Sequence, residues 1–224
     1  MNSRETILSS IRTHLAASEP HDEPTTHVDP VEVIEARPAS LVELFKKSLE
    51  VVSGHCIIAH GEMEVVDALT RTIARLQQTK HRARAIAISD APMVDRLIRQ
   101  TDLEIDELAI APDAHEVFRF DVGISTAQAA IAETGTLVLD AATERHRLVS
   151  LVPPVHIAII DAAWIYHTLG EALAFVHRNA QINPSVTFVS GPSRTADIEL
   201  TLAIGVHGPQ ELYVIVNDGP PLSH

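Results

Sequence analysis

The chain has 224 residues, enough for one large or two small domains with a core of their own. Its formal charge of −13 excludes nonspecific attachment to nucleic acid or anionic lipid, and no basic stripe with interleaved aromatics offsets it. Its single cysteine, Cys56, excludes an intramolecular disulfide and an iron–sulfur cluster held by this chain alone.

Residues 2–17 read as a helix with Ile7, Leu8, Ile11 and Leu15 on one face and Asn2 or Ser3 as its cap. That face is expected to pack on the body or on another subunit. Arg4, Glu5, Arg12 and Glu19 interrupt any signal-peptide core, and no later apolar stretch is long enough to span a bilayer. A soluble cytoplasmic protein without membrane insertion is the expectation. Residues 19–30, EPHDEPTTHVDP, form an acidic proline-rich linker.

A second helix is predicted over residues 40–52, with Leu41, Leu44, Phe45 and Leu49 inward and Gly54 stopping it. CIIA (56–59) follows as a buried strand, with Cys56 an inert residue in it. Residues 62–78 keep the helical period through Val65, Val66, Leu69, Ile73 and Leu76. RAIAIS (84–89) is a strand, Pro92 opens a helix carrying Met93, Leu97 and Ile98, and LEIDELAI (103–110) is another strand. This alternation implies a parallel, doubly wound α/β sheet.

Residues 118–142 hold two apolar runs around Glu133, Thr134 and Gly135, which predicts a hairpin with Gly135 at positive φ. Residues 143–154 read as loop and short helix, HIAIID (156–161) as a strand, 169–176 as a helix and LYVIV (212–216) as the final strand. The domains expected are 1–37, helix and linker; 38–218, the α/β body; and 219–224, a tail.

Residues 190–209, SGPSRTADIELTLAIGVHGP, crowd glycines, hydroxyls, carboxylates and an imidazole into one segment. TFVSG before it reads as a buried strand ending in a turn, and ligand sites of open α/β sheets lie at such carboxyl ends. Beyond the turn the pattern is ambiguous. Ile198, Leu200, Leu202, Ile204 and Val206 alternate as in a strand, while the spacing of Ile198 and Leu202 and the positions of Asp197 and Gly205 favour a short helix. The neighbouring strand–loop–helix pattern tips the reading to a helix.

Three polar clusters are therefore expected to converge into one crevice at the carboxyl edge of the parallel sheet. The first is Glu133, Thr134, Gly135 and Thr136; the second holds Gly191, Ser193, Thr195, Asp197 and Glu199; the third holds Gly205, His207 and Gly208. Glu133 is the candidate nucleophile or general base, because a carboxylate between apolar runs is tuned by its surroundings. His207 is its candidate neighbour. Ser193, Thr195 and nearby backbone N–H groups suit an anion such as a carboxylate or phosphate. No Walker sequence, dinucleotide fingerprint or metal-ligand spacing is present.

Taken together, IAETGTLVLDA (131–141), LVSLVPPVHIAIID (148–161), SGPSRTADIE (190–199) and GVHGP (205–209) resemble the signature of the lactate-utilization protein C family (LutC/YkgG) of the LUD domain group. The resemblance covers about residues 115–218; the preceding half matches only in its pattern of helix, acidic linker and α/β unit. It implies a NagB/RpiA/CoA-transferase-like fold, a parallel twisted sheet flanked by helices with an N-terminal helical arm. It implies a part in oxidising L-lactate to pyruvate beside two iron–sulfur partner proteins, with no cofactor in this chain and a homo-oligomer as one assembly. It supplies no settled catalytic residues. Two other functions compete: a stand-alone enzyme of the CoA-transferase or sugar-phosphate isomerase type, and a regulator sensing a small anion.

Overall fold

A computed structural model describes residues 3–17, 40–141, 144–145, 147–179, 185–196, 202–204 and 208–222. The chain divides into a unit of Met1–Glu35 and a body of Ala36–His224. The first holds helix α1 (Ser3–Ala17), whose Ile7, Leu8 and Ile11 are exposed.

The body opens with α2 (Leu41–Val51), capped where the Glu43 N–H donates to Ser40 Oγ at 3.2 Å. Gly54 closes it by donating to Leu49 O at 2.9 Å. The chain then alternates: β1 (His55–Ala59), α3 (Glu62–Gln77), β2 (Ala85–Ile88), α4 (Pro92–Arg99) and β3 (Glu107–Ile110). Proline at the first turn of α4 costs nothing, since its missing N–H would have had no helical partner. The strand expected over 103–110 begins only at Glu107, because the N–H groups of Asp106 and Glu107 both turn to Arg84 O.

β4 (Val122–Thr126), β7 (Val155–Asp161) and β12 (Glu211–Asn217) complete a six-stranded sheet ordered β1-β12-β7-β4-β2-β3, parallel at every pairing. Alternation along β7 and β12 shows why the centre is buried on both sides. Val155, Ile157, Ile159, Tyr213 and Ile215 face α3 and α4. Ala158, Ile160, Leu212, Val214 and Val216 face the opposite layer with Phe45 and Leu49 of α2. Each large aliphatic side chain so buried contributes roughly 1.5–3 kcal/mol before ordering costs.

That opposite layer is a second sheet. β5 (Ala129–Ile131), β6 (Thr136–Asp140), β8 (Ile165–Tyr166) and β9 (Val186–Val189) pair in the order β8-β5-β6-β9. The hairpin read around Glu133 to Gly135 is present, with Gly135 at φ +64°. Ala130 and Leu139 of the hairpin face the parallel sheet, while Ile131 and Val138 face α6 (Leu169–Asn179). Beside this sheet, α5 (Arg147–Leu151) lies on β4 at Gly123, where a Cβ would stand 1.8 Å from Val149 O.

Two expectations need correction. β9 is the half-exposed edge of the second sheet, antiparallel to β6, and not a buried strand of the parallel one. The segment after it does not lean to a helix: β10 (Arg194–Ala196) and β11 (Leu202–Ile204) pair antiparallel, Thr195 opposite Ala203. Alternation therefore prevailed over the four-residue spacing.

Candidate functional site

The carboxyl ends of β2, β4 and β7 lie side by side, and the chain leaves each through polar residues: Asp90 after β2, Thr126 and Gln128 around the end of β4, and Asp161 closing β7. Between them opens a cavity of about 440 Å³, walled also by Glu144, Trp164 and Phe175. This volume falls within the roughly 300–1,000 Å³ range of small-molecule sites.

Glu144 is the best-held group in it. The residue is 5% exposed. Its Oε1 accepts from Thr126 N–H at 3.0 Å, and its Oε2 accepts from Thr126 Oγ1 and from Gln128 Nε2, the latter at 3.1 Å. Gln128 is fixed in turn, since its Oε1 accepts from Asp140 N–H at 2.7 Å. A buried carboxylate held by such donors is oriented with little freedom to turn.

Asp161 also lines the cavity and is 8% exposed. Its Oδ1 accepts from Asn217 Nδ2 at 2.6 Å and Leu222 N–H at 3.4 Å. Asn217 also takes Gly61 N–H on its Oδ1 at 2.8 Å, so the ends of β7 and β12 and the start of α3 are tied together. Asp90 is bound by Arg145, whose backbone N–H and Nε donate at 2.6 and 2.9 Å. Burial pushes the Asp90 pKa up, but these bonds and the guanidinium charge outweigh it and hold the carboxyl below its ordinary 3.8.

Trp164 and Phe175 supply an aromatic side, their ring centroids 5.2 Å apart and tilted by 41°. Phe175 is carried by α6, whose start is secured by three contacts. Glu133 Oε1 accepts from Leu169 N–H at 3.2 Å, Thr168 Oγ1 from Glu171 N–H at 3.4 Å, and Glu171 Oε2 from His167 N–H at 2.8 Å. Glu133 itself is exposed.

The predicted clusters lie elsewhere. Thr136 Oγ1 is 2.7 Å from both Thr134 Oγ1 and Ser190 Oγ, so the first and second turns do meet. The second also meets the third, since Gly208 packs on Ser193 and Ser193 N–H donates to Pro209 O at 2.8 Å. They meet at the amino edge of the parallel sheet, not at the carboxyl edge as expected. Gly135 and Gly191 pack on Leu49 and Val52 just before β1, and Gln210, just before β12, donates to Pro154 O at the start of β7. The hairpin folds back along the sheet and carries its tip to that end. There the hydroxyls bond one another and the Ser193 N–H is used by the chain itself. Asp197, Glu199, Gly205 and His207 lie outside the described residues, as does the side chain of Thr195.

Two cavity residues had a signal in the sequence that pointed to them. Asp90 and Asp161 follow or close strands that were predicted, and the carboxyl-end rule applied to those strands leads to both; Thr126 lies inside the stretch 118–142 that was read as one hairpin, whereas β4 is a separate strand of the parallel sheet. Glu144 had no such signal, because it reaches the site from a loop. Among the described residues no group of three or more His, Cys, Asp or Glu is placed to hold a metal ion, and no helix is long and apolar enough to cross a membrane.

With this architecture in hand, the relatives fall into place. The profile of the LUD domain matches residues 42–216, and the chain belongs to the LUD domain family. A crystal structure of a DUF162 family protein from Deinococcus radiodurans has a TM-score of 0.61 to it at 25% identity, covering 81% of this chain and 100% of that one. Lactate utilization protein C of Exiguobacterium sp. is 44% identical over 45% of this chain and 46% of its own length. Its namesake from Oceanobacillus iheyensis is 29% identical over 97% of this chain and 99% of that protein. The chain thus spans under half of the Exiguobacterium relative at high identity and nearly all of the Oceanobacillus one at lower identity.

Proposed function

We propose that this protein is the cluster-free component of an L-lactate utilization system, acting with iron–sulfur oxidoreductase partners in the oxidation of lactate to pyruvate. The observation that carries the reading is the match to a lactate utilization protein C along 97% of the chain. The chemistry is consistent with a division of labour. Oxidising a hydroxy acid to a keto acid releases two electrons and two protons, and the electrons need a redox carrier. A chain with one cysteine does not supply several thiolates to an iron–sulfur cluster, so partner proteins hold it. The proposed contribution of this chain is a cytoplasmic α/β body with a carboxylate-lined cavity at one sheet edge and, at the other, a surface of turns for assembly or for a small anion.

The test is reconstitution. Lactate-dependent dye reduction by the two partners should need this protein, and a strain lacking it should fail to grow on L-lactate until the gene is restored. Full dye reduction without the protein overturns the proposal. Within it, Glu133 serves α6 and not the chemistry. Glu133→Gln keeps an oxygen facing Leu169 N–H and should support growth on lactate; loss of growth with a normal fold would return Glu133 to a chemical role.

A second reading, a stand-alone enzyme of the CoA-transferase or isomerase type, is favoured by one observation: Glu144 is an oriented carboxylate in a cavity at the carboxyl edge of a parallel sheet. Turnover by the purified chain alone supports it.

A further inference from the structure

We infer that the carboxyl-edge cavity binds a non-anionic, planar ring-bearing molecule, seated on Trp164 and Phe175 with its hydrogen-bond donors turned to the carboxylates, and that it is not a pocket for free lactate. Three features lead there. The first is charge. Asp90, Glu144 and Asp161 line the cavity, and none of the described lining residues is Lys, Arg or His. The nearest guanidinium, Arg145, is engaged by Asp90. A small acid or phosphate entering this space meets carboxylates of its own sign and, among the described lining residues, no cation to hold it.

The second is size. A cavity of about 440 Å³ suits a molecule of drug-like dimensions, and a three-carbon acid leaves most of it to water.

The third is the distribution of polar atoms. The Thr126 hydroxyl and N–H and the Gln128 amide are committed to Glu144, to one another and to Asp140 N–H, so donors facing the cavity are scarce. Acceptors remain. Asp161 is 8% exposed, yet its Oδ2 receives no hydrogen bond from the described residues. A carboxylate oxygen that lines the cavity without a donor from the protein is open to one from a ligand. The tilted indole and phenyl rings that also line the cavity offer the flat apolar face that holds a ring and, through their π-electrons, favours a positive one.

The chain has a single tryptophan, so the indole N–H signal of Trp164 in a ¹H–¹⁵N spectrum reports on this cavity alone. The full-length protein is titrated with benzamidine, benzamide and benzoate, which share a ring and differ in charge, and with L-lactate. Benzamidine and benzamide should shift the indole signal saturably at millimolar concentration. Benzoate and lactate should bind at least tenfold more weakly. Asp161→Asn, which keeps the shape of the side chain, should cut the preference for benzamidine over benzoate by fivefold or more. Should that variant fail to fold, Glu144→Gln is read the same way. Shifts by benzoate or lactate equal to those by benzamide, no shift by any of the four, or a preference that neither variant reduces would overturn the inference. It rests on the cavity and not on the proposed role in lactate oxidation, so the reconstitution experiment can succeed whichever way these titrations fall.

Discussion

Two side chains show how burial and neighbours divide the control of ionisation. Burial is the main cause that drives the Cys56 pKa up to about 12, with Lys46 opposing it and Glu50 and Glu43 adding to it. At pH 8 almost none of it is thiolate. Alkylation by iodoacetamide should therefore run at least about 100-fold slower in the folded protein than in urea; comparable rates would place Cys56 in a reactive setting. Asp90 behaves in the opposite sense. Its folded pKa is depressed, so its pairing with Arg145 stabilises the fold above the unfolded value, and this is lost as the pH falls through the folded value. Asp90→Asn should lower the urea midpoint at pH 7 by the equivalent of about 1 kcal/mol or less, as befits a partly exposed pair. The gap should begin to narrow as the pH drops below about 4 and go on narrowing as it falls through the depressed folded value. A gap that does not narrow at all between pH 7 and about pH 2.5 would show that the carboxylate charge is not what Asp90 contributes.

Among the elements, the β5–β6 hairpin makes the strictest demands on its sequence. Gly135 sits at φ +64°, and a Cβ there would stand 2.3 Å from Leu49 N. Gly135→Ala combines backbone strain with a clash against α2, and a loss of about 1–3 kcal/mol in urea unfolding is expected. An unchanged midpoint would mean that α2 moves aside at no cost. This hairpin was legible because two apolar runs flank a turn glycine, and α3, β7 and β12 were legible because period and length agree. Sheet membership was not. VTFV has the composition of a buried central strand, yet it pairs with β6 at an outer edge, because residue pattern records what a strand buries and not which neighbour it takes. That one misplacement put the three polar turns at the carboxyl edge of the parallel sheet, whereas their described parts meet at the amino edge. The carboxyl-end rule had been applied to a strand outside the parallel sheet. Glu144 was hidden for a different reason: loop residues carry no period to read.

For the whole molecule, the clusters of buried side chains found among the described residues all lie at residues 45 and beyond. Residues 36–224 should therefore fold without the α1 segment, as a cooperative unit seen by circular dichroism and by the Trp164 signal together. Non-cooperative melting of that fragment would mean the division of the chain into two units does not describe its folding.

The position of β12 bears on how the protein is made. It is the last strand in the chain and lies between β1 and β7, with Cys56 opposite Val214 across 158 positions of sequence. On the ribosome, β1 and β7 emerge first and wait with bare edges for a strand still to be synthesised. Such long-range closure is slow and leaves unpaired edges open to the wrong partner. A translation product that stops before Glu211 lacks the strand that joins them. It should be met by chaperones and proteases as an unfinished chain with two open strand edges.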